Sequence, residues 1–150
     1  MACSFKLLLD ALKNKTIDEI LEMPEVQQRV NQMRSDWLIF KRLTLENSRI
    51  DGNVVLTDFR HIEKIPIGNR FLVYTLFPDA NVSVRVHWGP QRQFVAVVVG
   101  HSIFNRTCKV NIGELMSDFG GGGHVGAGAA PLKAETANAD IEEIIRRLKA

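Results

Sequence analysis

The sequence predicts an α/β (α+β) domain, a mixed β-sheet flanked by helices and preceded by an N-terminal helical arm. Three observations carry this. Val82, Val84, Val86 and Trp88 alternate with Ser83, Arg85 and His87, the period of a strand with one buried face. Phe94 to Val99 is an unbroken apolar run, which predicts a central strand covered on both faces. Ile141, Ile144, Ile145 and Leu148 fall on one face of a terminal helix, with Asn138 or Asp140 as its cap.

Residues 1–48 read as the arm and residues 49–150 as the domain. In the arm, Phe5, Leu8, Leu9 and Leu12 predict a short amphipathic helix. Thr16 and Glu19 form a capping box ahead of Ile17, Ile20 and Leu21. Pro24 suits the first turn of a third helix, in which Val26, Val30, Met33, Trp37 and Phe40 repeat at coiled-coil spacing. The plain expectation is that this stripe covers the following domain. The sharper one is that it docks on another domain or on a second copy of the chain, a possible homodimer.

Strand signals begin near residue 49. Asp51-Gly52-Asn53 reads as a turn and Val54 to Phe59 as a strand. Phe71, Leu72, Thr75 and Leu76 suit a helix that ends near Pro78. Gly89-Pro90-Gln91-Arg92 turns the chain between the two strongest strands, making them a hairpin. Arg85 and His87 share the face of their strand opposite the valines, where they are either solvated or part of a basic groove. Trp88 and Tyr74 are expected in the core, although either ring could stack on a base. Ile112, Leu115, Met116 and Phe119 then predict a short helix.

Bulk properties narrow the function classes. The 150 residues are 45% hydrophobic and 24% charged, ordinary for a globular domain with a sizeable core. A net charge of +2 is too small for a general nucleic-acid coat, so a basic site must be local. Cys3 and Cys108 give no disulfide framework and are expected to be incidental or packing thiols. No stretch approaches the ~20 apolar residues of a membrane span, and no secretion signal opens the chain. A cytoplasmic location and no membrane partner are the expectation.

Seven of the 11 glycines fall between Gly113 and Gly128. The run Gly120-Gly121-Gly122-Gly123-His124 implies positive φ or close backbone approach. Consecutive glycines can also turn amides toward one anion, and a histidine beside them adds a donor. In Asn105-Arg106-Thr107-Cys108-Lys109, an Arg and a Lys lie shortly upstream. These residues predict phosphate recognition.

Val99-Gly100-His101-Ser102 through Asn105-Arg106, the short helix and GGGGH together resemble the DHH-associated domain of the DHH phosphoesterases. That family includes RecJ-type exonucleases, nanoRNases and exopolyphosphatase-related proteins. Its motif is G-G-G-H-x-x-A-A-G. Gly121, Gly122, Gly123, His124 and Ala127 match it, while Gly128 and Ala129 stand where Ala and Gly are expected. The resemblance covers about residues 50–150. It implies that Asn105, Arg106, Gly121, Gly122, Gly123 and His124 bind the phosphate of a nucleotide or a short nucleic acid. It also implies that hydrolysis belongs to a separate N-terminal DHH domain holding two manganese ions.

Asp-His-His and Asp-x-Asp do not occur in this sequence, and His61, His87, His101 and His124 show no paired metal-ligand spacing. The chain is therefore expected to carry no catalytic residue and no metal site, to need a DHH catalytic domain as partner, and to be inactive alone. The substrate could be short RNA or DNA, adenosine bisphosphate, a cleaved cyclic dinucleotide or polyphosphate. Three alternatives stand beside this reading. One is an assembly module with a structural glycine loop. Another is the C-terminal tRNA-interacting domain of alanyl-tRNA synthetases. The third is a standalone hydrolase using His124.

Overall fold

The structure is a computed structural model and describes residues 5–149, so Cys3 lies outside the described residues. Helices α1 (Phe5–Asn14), α2 (Ile17–Glu22) and α3 (Pro24–Glu46) form the arm. The domain follows as β1 (Ser48–Asp51), β2 (Val54–Asp58), α4 (Leu72–Leu76), β3 (Val82–Trp88), β4 (Val95–His101), α5 (Ile112–Ser117), β5 (Gly122–His124), β6 (Ala127–Leu132) and α6 (Ala137–Leu148). The six strands make one sheet in the order β1-β2-β3-β4-β6-β5. β2 and β3 run parallel and the other pairs are antiparallel, so the sheet is mixed. The expected α/β architecture with its helical arm is the one observed.

Side-chain alternation divides the sheet into two unlike faces. Val54, Leu56, Val82, Val84, Val86, Val95, Val97 and Val99 point one way, into a core closed by Ile112, Leu115 and Met116 of α5 and by the apolar face of α6. Each apolar side chain of this size is stabilised by about 1.5–3 kcal/mol when removed from water. The opposite face is covered over only part of its area. α4 brings Val73 and Tyr74 onto Val55, and the C-terminal end of α3 brings Phe40 against Phe59 and Leu72. What these leave uncovered is the site described below.

Several local rules operate as read. Thr16 and Glu19 close a full capping box on α2, and Pro24 opens α3. Tyr74 is buried and Trp88 is partly buried against the main core. Cys108 is a free thiol that also packs there.

Four expectations need correction. β4 is central, but only Val95, Val97 and Val99 are buried. Ala96 and Val98 are half-buried, because the second face is only partly roofed. Strand begins at Ser48, read as the end of the arm, and includes Asp51, read as turn: Ser48–Asp51 is strand β1, fixed by its pairing with β2. Neither Asn138 nor Asp140 caps α6. Thr136 precedes it, Asp140 accepts from the Thr136 hydroxyl, and Asn138 accepts from Arg60. Lastly, the α3 stripe does not cover the domain. Phe40 is buried, but Met33 is 71% and Trp37 43% exposed, because only the C-terminal end of α3 reaches the sheet while its first turns pack on α2.

Candidate functional site

The glycine-rich segment is ordered secondary structure. α5 ends in a Schellman closure: the amide of Gly120 donates to Ser117 O at 3.1 Å and that of Gly121 to Met116 O at 2.9 Å. Gly120 takes φ +73°, the left-handed turn such a closure needs. The chain then becomes edge strand β5, which pairs Gly122 with Ala129, Gly123 with Gly128 and His124 with Ala127.

Close approach accounts for most of these glycines. A Cβ on Gly121 would stand 2.0 Å from Ala129 O, and one on Gly123 2.2 Å from Ala127 O. A Cβ on Gly113 would stand 2.8 Å from Gly123 O. Gly122 differs. A Cβ there would meet nothing within 4 Å, and its φ is not positive. Neither packing nor backbone conformation calls for glycine at 122, and the space over its Cα is clear on an exposed edge strand.

Gly122 and His124 sit two apart on β5 and therefore share a face. Register continues that face across the sheet. Gly122 is level with Ala129, Val98, Arg85 and Thr57; His124 is level with Ala127, Gly100, Ser83 and Val55. This is the partly roofed face. The opening is a cleft of about 330 Å³ whose walls include Arg70, Arg85, His101, His124, Phe59 and Phe71.

The cleft is cationic. Among the described residues Arg70 and Arg85 form no ion pair, whereas Arg60, in a separate groove, is held by Asp58 at 2.6 Å. Burial, and then the nearby Arg70 charge, lower the pKa of Arg85. Burial, and then Arg85, lower that of His87, whose Nδ1 is buried with no hydrogen-bond partner among the described residues. Two guanidiniums that raise each other's energy in a half-closed cleft form a site whose free energy falls when an anion or an electron-rich acceptor enters.

The two cleft histidines have defined tautomers. His124 Nδ1 accepts from the Gly126 amide at 3.1 Å, so in the neutral ring the proton is on Nε2, which is left as a donor. His101 Nε2 lies 2.9 Å from Val110 O, a carbonyl that only accepts, so Nε2 carries the proton there too. Both rings flank Gly126: a Cβ at that residue would be 3.7 Å from His101 Nδ1 and 3.7 Å from His124 Cε1.

The predicted site residues are not all in this cleft. His124 lines it; Asn105, Arg106, Gly121, Gly122 and Gly123 do not. Asn105 Nδ2 donates to Asp79 O at 2.9 Å and its Oδ1 accepts from Thr107, which ties the loop down. Arg106 Nε donates to Ile103 O at 3.1 Å, and its two terminal nitrogens have no partner among the described residues. Ile103 itself lines the cleft, so the loop that completes one wall also carries Arg106. Sequence reasoning missed Arg70, which sits in a Gly-Asn-Arg segment with no periodic signal. It left Arg85 between surface and groove, because what roofs that face is not a local property.

Among the described residues, no three His, Cys, Asp or Glu side chains gather as a metal site requires. The described residues do not fit a manganese ion. No helix is long and apolar enough to cross a membrane.

Compared with known proteins, the sequence matches no family profile and no curated protein. Its structure is similar to solved ones. It is 38% identical to the pGpG-specific phosphodiesterase PggH from Vibrio cholerae, with a TM-score of 0.90, covering 95% of this chain and 49% of that one. An exopolyphosphatase-related protein from Bacteroides fragilis shares the fold at 16% identity and a TM-score of 0.58, over 97% of this chain and 43% of that one. A DHH-domain member of the s1p family of ribosomal proteins does so at 13% identity and a TM-score of 0.63, over 89% and 35%. The chain thus spans about half the length of the PggH chain. The last two likenesses show the fold; read with the GGGGH strand, the likeness to PggH identifies the chain as a DHH-associated domain of the DHH phosphoesterase family.

Proposed function

We propose that this domain holds the phosphorylated end of a short oligonucleotide, most specifically a guanine dinucleotide, for a DHH catalytic domain that hydrolyses it. The observation that carries the reading is the open edge of β5. Gly122 has space and conformation for a side chain yet has none, and His124, on the same face, presents Nε2–H into a cleft with two unpaired arginines. A phosphate there would accept from His124 and from the exposed backbone edge. The free terminal nitrogens of Arg106 would close on it from the rim as a fork. Identity of 38% to a protein named for pGpG supports that substrate over polyphosphate. The hydrolytic step is assigned to the DHH domain and its manganese, since the described residues offer no ligand set for a metal. The exposed apolar face of the arm suits contact with that partner.

The test is a titration of the chain with 5′-labelled pGpG beside His124→Ala and Arg106→Ala. A hydrogen bond to a charged group contributes about 1.5–3 kcal/mol, so each variant should bind roughly 10- to 100-fold more weakly, at ~1.4 kcal/mol per decade. Affinity should also fall as salt rises. Unchanged affinity in both variants, or salt-independent binding, would remove phosphate recognition from this face.

A further inference from the structure

Arg85 has a role that phosphate binding leaves unassigned. It is a half-buried cation on a central strand, three strands away from His124, and it has no acidic partner among the described residues. At about 4.8 Å per strand, three spacings place the β3 and β5 backbones roughly 14 Å apart across the cleft floor. Between them the floor-facing positions are Val98 and Gly100 of β4 and Ala127 and Ala129 of β6. Not one of these side chains is larger than valine, so the floor is flat and largely apolar. Phe59 and Phe71 stand in the walls, and the Arg70 guanidinium lies 4.7 Å from the Phe71 ring centroid.

A second phosphate would be poorly matched to that end of the cleft. It needs several donors around it, and beside the two guanidiniums the walls supply Phe40, Phe59, Phe71 and Val73, while the hydroxyls of Thr44, Thr57, Ser83 and Tyr74 are already bonded within the chain. A planar heterocycle is matched well. It lies on small residues, stacks beside aromatic walls and turns its polar edge to a guanidinium.

Taken with the phosphate reading above, on which this rests, the geometry points to Arg85 as the residue that selects the base of the bound nucleotide: its fork donates to O6 and N7 of guanine while the phosphate sits at His124. Guanine presents two adjacent acceptors on that edge. Adenine presents N7 beside an amino donor, which meets one arm of the fork with a second donor. Arg70, sharing the cleft and with no ion-pair partner among the described residues, holds the Arg85 end positive and has the Phe71 ring beneath it.

The experiment compares binding of pGpG and pApA by the wild-type chain, Arg85→Lys and His124→Ala, with circular dichroism to confirm that each variant is folded. Lysine keeps the charge and loses the fork. The wild type should favour pGpG by roughly 5- to 150-fold, and Arg85→Lys should bring the two ligands to within about twofold. His124→Ala should weaken both alike and keep their ratio. If Arg85→Lys keeps the guanine preference, or weakens both ligands equally, Arg85 is an electrostatic contact and the inference falls. If the wild type binds both ligands equally and His124→Ala weakens both, the base-reading role falls while the phosphate reading stands. If neither ligand binds the wild type, the phosphate reading falls and takes the inference with it. A third variant, Arg85→Met, guards against a folding artefact, since its long apolar chain fills the same half-buried position; it too should lose the preference.

Discussion

Gly121→Ala and Gly122→Ala are neighbouring, chemically identical changes for which the structure predicts opposite outcomes. At 121 the new Cβ would lie 2.0 Å from Ala129 O and 2.6 Å from Ala130 Cα, both backbone atoms that cannot rotate away. Ordinary contact begins near 3.4 Å, so β5 must move off β6 by about 1.4 Å. A displacement of that size breaks the 2.9 Å bond from the Gly121 amide to Met116 O and pulls His124 from its place. Forced overpacking of this kind costs about 1–3 kcal/mol. For a chain of this size that is a fall in Tm of roughly 2–12 °C. At 122 nothing is met, and alanine restricts the unfolded chain, so stability should stay within about 0.5 kcal/mol of wild type or rise slightly. Binding should separate from stability: both variants lose affinity for pGpG, the first because the strand moves and the second because a methyl group stands on the face it shares with His124. Urea melts followed by far-UV circular dichroism, with titrations at a temperature where both are folded, read this out. Equal melting of the two variants would refute the close-approach account of the glycines.

Other consequences can be checked with the same tools. Phe40→Ala removes a 4%-exposed ring that stands 6.1 Å from Phe59, centroid to centroid, and should destabilise by about 3–5 kcal/mol in a urea melt. Burial works to raise the pKa of Asp58, but hydrogen bonds from Arg60 outweigh it and hold it below 3.8. The stability this gives is present above pH 3.8 and is lost as pH falls through the lowered value, so Arg60→Met should show a shallower acid limb. Burial, and then Arg85, keep the His87 pKa below 6.5. The unfolded state therefore takes up a proton first as pH falls through 6.5, and stability should decline there in wild type but not in His87→Gln.

The segments legible in the sequence are those whose partners are near in the chain. Thr16 and Glu19 form their box across one turn, Pro24 needs only its own ring, and the alternation from Val82 to Trp88 requires only that one face be covered. The glycine strand was not legible as a strand. Glycine has no side chain to show a period, and what makes Gly122–His124 extended is the β6 backbone on one side and Gly113 of α5 on another. His124 was found through its motif. Arg85 was visible only as an outward residue, and Arg70 not at all, because a cleft is made by what fails to cover it. The missing cover here is the first half of α3, which the heptad-like spacing suggested would lie on the sheet.

The exposed run of α3 also gives the protein two independent optical reporters. Trp37 stands on the arm, 43% exposed, with Lys41 Nζ 5.3 Å from its ring centroid, whereas Trp88 packs on the main core at the end of β3. Helices with few tertiary contacts open at lower free energy than a buried sheet. Heating or urea should therefore quench or shift the arm's emission before that of the domain, and the helical signal should begin to fall ahead of the Trp88 transition. A single melting temperature for this chain would average two events. Single-tryptophan variants would separate them, and would show directly whether a bound partner domain fuses the two transitions into one.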